Sequence, residues 1–336
     1  MKYFTALTGI IFFIGCSNPE KQVETNPIFQ DDPNLSEITA RIEKSPKHAP
    51  LYYERGVRLH KMRQDSLAIE DFKTAAKLDS TKAQYFSAVG DLLFESKDLT
   101  GSIEWLQKAI AKNPTDPKAH LKIAKLFLYL GDHGKAFSEI NIVLRKNVYD
   151  PEAYFLKGMV YKDMKDTAKA ISTLLTAVQV SPDYREAVVQ LGLLYGAKKD
   201  SIAIKYLENA YQMDTTDVFP LYALGMYYQD NNQYALAKQA YKKCIIRDRN
   251  FPDAYFNMGY ILLQQDSFPK AYRQYDLVLK VSPANASAYY NRGLCAELMD
   301  STDNAIADYR QAIRLDTSYD MPKQGLVRLL KGKKRK

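Results

Sequence analysis

Between residues 49 and 318 the chain repeats one pattern of apolar, small and polar positions about eight times. The pattern is clearest over 151–184. There Tyr154, Lys157, Gly158 and Tyr161 have the spacing of one helix, Ala170, Leu174 and Ala177 that of a second, and Pro182 closes the copy. Apolar positions three and four apart predict amphipathic helices. Small residues among them mark where two helices approach closely.

Sliding this unit along the chain aligns Gly56, Gly90, Gly158, Gly192, Gly225, Gly259 and Gly293, at spacings of 34, 68, 34, 33, 34 and 34. The double step holds a further copy with Ala124 in the glycine's place, and the 33 marks a one-residue deletion in the turn near Asp200. A second small residue follows in all eight copies: Ala68, Ser102, Ala136, Ala170, Ala203, Ala237, Ala271 and Ala305. A third recurs at Ala75, Ala109, Ala177, Ala210 and Ala312, with Val143, Cys244 and Val278 elsewhere. Each helix pair can bury its apolar stripe only against its neighbours, the logic of a repeat array.

A 34-residue period with these small residues resembles the tetratricopeptide repeat family. The resemblance covers about residues 49–318 and implies an all-α solenoid, a right-handed superhelix of about eight helix-turn-helix repeats. Leu35, Ile38 and Ile42 before the first copy, ended by Pro46, predict a half-repeat cap over 34–48. Leu326, Leu329 and Leu330 predict a solvating helix over 319–330, followed by a basic tail over 331–336.

Composition changes little in this picture. With 46% hydrophobic and 26% charged residues the chain is not disordered overall, and its 25 tyrosines point to packing, rings buried and hydroxyls at an edge. The net charge of +8 is a matter of location. Lys323, Arg328, Lys331, Lys333, Lys334, Arg335 and Lys336 end the chain without an acid; setting them and Lys2 aside leaves equal numbers of bases and acids. The body is neutral, so nucleic acid is not an expected partner. The tail is either a solvated end or a contact for an anionic surface.

The N-terminus reads as a secretory leader. Lys2 precedes an apolar run from Tyr3 to Gly15, too short to span a bilayer, which takes about 20 residues. Phe13-Ile14-Gly15-Cys16 resembles a bacterial lipobox, which implies removal of 1–15 and acylation of Cys16. Residues 16–33 read as a tether, with a random-coil reach of roughly 20–25 Å, and several acyl chains give stable anchoring where one does not. The expected location is the cell envelope, on the periplasmic face of the outer membrane.

Candidate chemistry is sparse. His48, His60, His120 and His133 have no metal-ligand spacing, Cys244 and Cys295 stand two repeats apart at packing positions, and no phosphate loop or nucleophile elbow occurs. Neither an enzyme, a cofactor, a metal nor a small-molecule substrate is expected. In the family the first helices line a concave face. That face reads Gln84, Ser87, Asp91, Lys118, Leu121 and Lys125 in the early copies. From the fourth copy it becomes Phe155, Met159, Val189, Leu193, Phe219, Tyr222, Met226, Phe256, Tyr260, Tyr290 and Leu294. The position after the glycine, often Asn in family members, is here Met159, Leu193, Met226, Tyr260 and Leu294. The stripe is either a groove for an apolar or amphipathic peptide or packing within the array. The Lys and Asn set with which some members clamp acidic chaperone tails is absent.

Six turns carry Asp, then Ser or Thr, then a small or aliphatic residue, placing Ser66, Ser80, Thr167, Ser201, Thr215 and Ser301 in a pattern similar to a periplasmic O-glycosylation signal. Capping and turn formation explain the same residues. The expected function is therefore a membrane-anchored module binding a protein or peptide. The alternatives are a scaffold or assembly factor of an envelope complex and an accessory subunit recruiting an envelope enzyme. The register itself is testable: Ala170→Leu overpacks a helix crossing and lowers stability by about 1–3 kcal/mol, and an unchanged melting midpoint would count against it.

Overall fold

A computed structural model describes residues 28–333. The leader over 1–15, Cys16 and most of the tether lie outside the described residues. Among those described, all regular structure is helical, and no helix is long and apolar enough to cross a membrane. The chain divides into two compact units, Met1–Pro114 and Thr115–Lys336.

The first unit opens with α1 (Ile28–Asp31) and α2 (Pro33–Lys44), followed by two helix pairs, α3 (Ala49–Lys61) with α4 (Asp65–Leu78) and α5 (Ala83–Glu95) with α6 (Leu99–Lys112). Helix α1 lies inside the stretch expected to be tether. Its apolar residues explain this: Ile28 and Phe29 pack on the core around Leu35, Leu59 and Phe72, and the Arg55 guanidinium lies 4.4 Å from the Phe29 ring centre. Helix α2 buries Leu35, Ile38 and Ile42. Asp32 starts it by accepting the Leu35 N–H, with Pro33 in the first turn, where its missing N–H costs nothing.

The second unit holds six pairs: α7 (Pro117–Tyr129) with α8 (His133–Lys146), α9 (Pro151–Asp163) with α10 (Thr167–Val180), α11 (Arg185–Ala197) with α12 (Ile202–Met213), α13 (Phe219–Asp230) with α14 (Tyr234–Arg247), α15 (Pro252–Gln264) with α16 (Phe268–Val281), and α17 (Ala286–Leu298) with α18 (Thr302–Leu315). Helix α19 (Asp320–Lys333) ends it. Leu326 and Leu329 of α19 pack on Ala296, Ala305 and Tyr309. Leu330, expected on the same face, is 38% exposed, because one further residue of helix turns it about 100° from Leu329.

Each first helix meets its partner at the small residues. Ala68, Ser102, Ala136, Ala170, Ala203, Ala237, Ala271 and Ala305 are fully buried, and Ser102 satisfies its hydroxyl on the Gly90 carbonyl at 2.7 Å. Within each pair the turn uses one residue in the left-handed region: Arg63, Lys97, Gly131, Lys165, Lys199, Asn232, Asp266 and Asp300. Only the third pair supplies a glycine there, the residue that adopts this conformation without steric cost. The deletion near Asp200 is absorbed one step later, in the first turn of α12. Ala203 N–H bonds the Asp200 carbonyl three residues back, whereas its counterpart Ala170 bonds Asp166 four residues back, so α12 opens on a tighter 3₁₀ turn.

A large side chain from the second helix fills the space over each first-helix glycine: Phe72 over Gly56, Leu106 over Gly90, Leu174 over Gly158 and Leu207 over Gly192. In the last three pairs it is a tyrosine, Tyr241, Tyr275 or Tyr309, fully buried in each case. Tyr241 donates to Gln229 Oε1 at 3.0 Å and Tyr309 to Glu297 Oε2 at 2.6 Å. The corresponding residue in the seventh pair is Leu263, and the buried Tyr275 hydroxyl has no hydrogen-bond partner among the described residues. Differential scanning of two variants checks this asymmetry. Tyr309→Phe lowers stability by about 1.5 kcal/mol, the value of a hydrogen bond to a charged acceptor, whereas Tyr275→Phe raises it by about 1 kcal/mol because an unsatisfied buried hydroxyl is removed. Equal losses in both would mean that the two hydroxyls are alike.

Candidate functional site

The first helices of the second unit present two series of apolar side chains. One stands three residues before the glycine, Phe155, Val189, Tyr222, Phe256 and Tyr290; the other stands one residue after it, Met159, Leu193, Met226, Tyr260 and Leu294. The first series is largely taken up by internal packing. Val189 is buried with Val188 and Ala210. Phe155 packs on Tyr184 with ring centres 5.5 Å apart, Tyr222 on Phe251 at 5.2 Å, Phe256 edge-on to Tyr275 at 5.4 Å, and Tyr290 on Tyr319 at 5.3 Å. The Tyr222 hydroxyl also accepts from Asn257 Nδ2 at 3.1 Å, and burial raises its pKa.

The second series is more open. Tyr260 is 41% exposed and, from the start of α13, Phe219 is 36% exposed. Met159 and Leu294 are half-buried. Leu193 and Met226 lie against the cluster of Leu207, Ala223, Leu224 and Ala240 and are likewise half-buried. Beside this row Lys162 of α9 donates to Gln190 Oε1 of α11 at 2.7 Å, and burial lowers the pKa of its ammonium.

The Asp-Ser/Thr turns have a structural use. Asp79 and Asp214 accept the N–H and hydroxyl of Thr81 and Thr216, Asp166 caps α10 through the Lys169 N–H, and Asp200 accepts the Ile202 N–H. Their neighbours Ser66, Ser80, Ser201 and Thr215 are exposed, while Thr167 and Ser301 are half-buried. Cys244 and Cys295 are buried free thiols, each pushed up to about 12 by burial, so neither carries a nucleophilic thiolate near neutral pH.

Two groupings escape a reading of the sequence. His60, Asp65 and Glu95 bring one imidazole and two carboxylates within 4.8 Å of one another. They come from three helices and leave no local motif; His60 Nδ1 and Asp65 Oδ1 already form a 2.8 Å pair. On the second-helix side a groove of about 680 Å³ is lined by Glu208, Asn209, Tyr211, Gln212, Leu221, Leu224, Lys243, Ile246 and Arg247. Its one sequence trace is Ile246, which follows the packed Ile245 and precedes Arg247 and is 65% exposed.

Family models described as tetratricopeptide repeat or TPR repeat match residues 90–131, 151–184, 222–280 and 286–319, together about half of the chain. The chain belongs to the tetratricopeptide repeat family. The C-terminal part of a TPR repeat-containing protein from Cytophaga hutchinsonii superposes with a TM-score of 0.57 at 20% identity, covering 73% of this chain and 99% of that one. A tetratricopeptide repeat protein from Parabacteroides merdae gives 0.53 at 16% identity, covering 74% and 98%. A chain of the APC/C hetero-tetramer Cut9–Hcn1 gives 0.53 at 14% identity, covering 88% and 59%. These likenesses show the fold, an all-α tetratricopeptide solenoid. No curated protein matches the chain. Tetratricopeptide repeats are protein-interaction modules, and this chain is one by its repeats.

Proposed function

We propose that this tetratricopeptide repeat protein captures an apolar or amphipathic segment of another protein along the first helices α9, α11, α13, α15 and α17, while an acylated Cys16 holds it at the periplasmic face of the outer membrane. One observation carries the capture reading. Five successive first helices place Met159, Leu193, Met226, Tyr260 and Leu294 just after the glycine, and none of the five is fully buried. A row of partly open aliphatic, thioether and aromatic groups suits a helix or extended segment with apolar residues on one side, and methionines adapt to varied partners. Most of the preceding series, engaged in ring contacts, serves as the floor beneath the row. The lipobox-like Cys16 supports the anchor.

A second reading, a scaffold or assembly factor of an envelope complex, is favoured by the groove on the other side. Tyr211 and Ile246 offer apolar area there, with the buried Leu221 and Leu224 at its base and Glu208, Lys243 and Arg247 around it.

Met159→Asp, Met226→Asp and Tyr260→Asp introduced together abolish crosslinked capture of the partner from intact membranes and leave the melting transition in place. Capture that survives the three charges moves the site to another surface, the second-helix groove first. For the anchor, a fatty-acid analogue labels the parent chain and not Cys16→Ser; label on the variant removes the anchor from the proposal.

A further inference from the structure

In the first unit the last turn of α3, the first turn of α4 and the last turn of α5 come together. There His60, Asp65 and Glu95 bring one imidazole nitrogen and two carboxylate oxygens within 4.8 Å of one another. His60 Nδ1 and Asp65 Oδ1 are paired at 2.8 Å, with the two side chains 35% and 36% exposed. Glu95 is exposed, and its carboxylate makes no hydrogen bond or ion pair among the described residues.

Asp65 stands nine residues after the glycine of its pair, and Glu95 five residues after the glycine of the next. At no other joint between helix pairs do both of these positions hold an acid. Between the third and fourth pairs they hold His133 and Asp163, which bond at 2.6 Å. An imidazole four residues after the glycine, the position of His60, occurs in the first pair alone. Glu95 also closes α5, where its charge adds to the partial negative charge of the helix's C-terminal end. A protonated His60 would offset one carboxylate. A dication offsets both, and the helix end with them.

We propose that His60, Asp65 and Glu95 bind one divalent transition-metal ion of the zinc class, which ties the first helix pair to the second. An imidazole nitrogen with two carboxylate oxygens suits zinc, whereas magnesium and calcium call for oxygen ligands and more of them. Three protein ligands leave the fourth tetrahedral position to water. Ligand atoms on a tetrahedral ion with bonds of about 2.1 Å stand about 3.4 Å apart. His60 and Asp65 therefore turn slightly away from each other, which their partial exposure permits, and Glu95, held by no partner, swings in to complete the set.

The untagged full chain carrying Cys16→Ser, which removes the leader thiol as a competing ligand, is stripped with a chelator and titrated with zinc by calorimetry. It takes up one zinc per chain, and roughly a hundredfold excess of magnesium leaves the affinity unchanged. His60→Ala, Asp65→Asn and Glu95→Gln each weaken uptake at least tenfold, a loss that removal of even an outer partner of a metal ligand can bring. Glu95→Gln is the deciding variant, because an exposed and unpaired side chain is replaced without disturbing the fold. Amide exchange at the ends of α3 and α5 slows with zinc in the parent and not in Glu95→Gln. No uptake by the parent, undiminished uptake by Glu95→Gln, or a loss in His133→Ala instead overturns the site. Uptake without slower exchange overturns the tie between the two pairs.

Discussion

Seven of the eight helix pairs depend on a β-carbon that is absent. A methyl at Gly158 would lie 2.7 Å from Leu174 Cγ, one at Gly90 2.7 Å from Leu106 Cγ, and one at Gly56 2.6 Å from the Phe72 ring. No ordinary contact is that short, so the two helices of a pair stand where they do because a large side chain enters the glycine's place. The fully buried alanines follow from this approach. At closer than usual separation there is room for a methyl between backbones and for little else. In the third pair, where Ala124 replaces the glycine, Ile140 is the matching large residue and both are buried.

What enters the gap then sets the polar chemistry around it. Phe72, Leu106 and Leu174 bring no hydrogen-bonding group; Tyr241, Tyr275 and Tyr309 bring one each, and the residue four after the glycine decides whether it is met. Gln229 and Glu297 meet it, and Leu263 does not. The residue just before the glycine behaves similarly at the joints between pairs. It is apolar as Val89, Leu191, Leu224 or Met258 and is Lys157 in the fourth pair, but in the first pair it is Arg55 and in the last Arg292. Arg55 grips Asp71 with two bonds of 2.7 and 2.8 Å and reaches Thr39 of α2 at 3.2 Å. Arg292 grips Asp308 at 2.9 and 2.7 Å and reaches Asp276 of α16 at 2.8 Å. Its hydrogen bonds to Asp308 raise its pKa further, against the cost of burial. Forked pairs of this sort demand one geometry, which apolar joints between similar pairs do not.

The glycine and alanine ladder was legible in the sequence because packing at a backbone crossing admits only small residues, whose identity recurs. The side chain that enters the gap was not. Phe72, Leu106, Ile140, Leu174, Leu207, Tyr241, Tyr275 and Tyr309 share size without sharing a residue type. Helix α1 was hidden by the three prolines around it, and its Phe29 finds its use only once Arg55 is placed above it. The apolar stripe was legible as a set of residues, but its division into floor and open row was not, since that depends on rings from the following linker. A trace of it exists. Tyr184, Phe251 and Tyr319 stand before a first helix where Phe155, Tyr222 and Tyr290 need a ring partner, and Asn285 stands there where Phe256 turns to Tyr275 instead.

The open row is not explained by the packing rule that explains its neighbours. A residue directly after the glycine is turned about 100° from it, away from the side chain that fills the gap, so the pair can close whatever stands there. The protein itself makes that comparison: the same position holds the half-buried Asp91 in the second pair and the exposed Lys125 in the third, in helices that pack as the others do. Apolar residues in five consecutive later pairs are thus unneeded for closing a pair, and their exposed parts carry a hydration cost of about 25 cal/mol for each Å² left in water. A continuous row that bears such a cost, on helices already fixed by their glycines, is the observation on which the proposed capture rests.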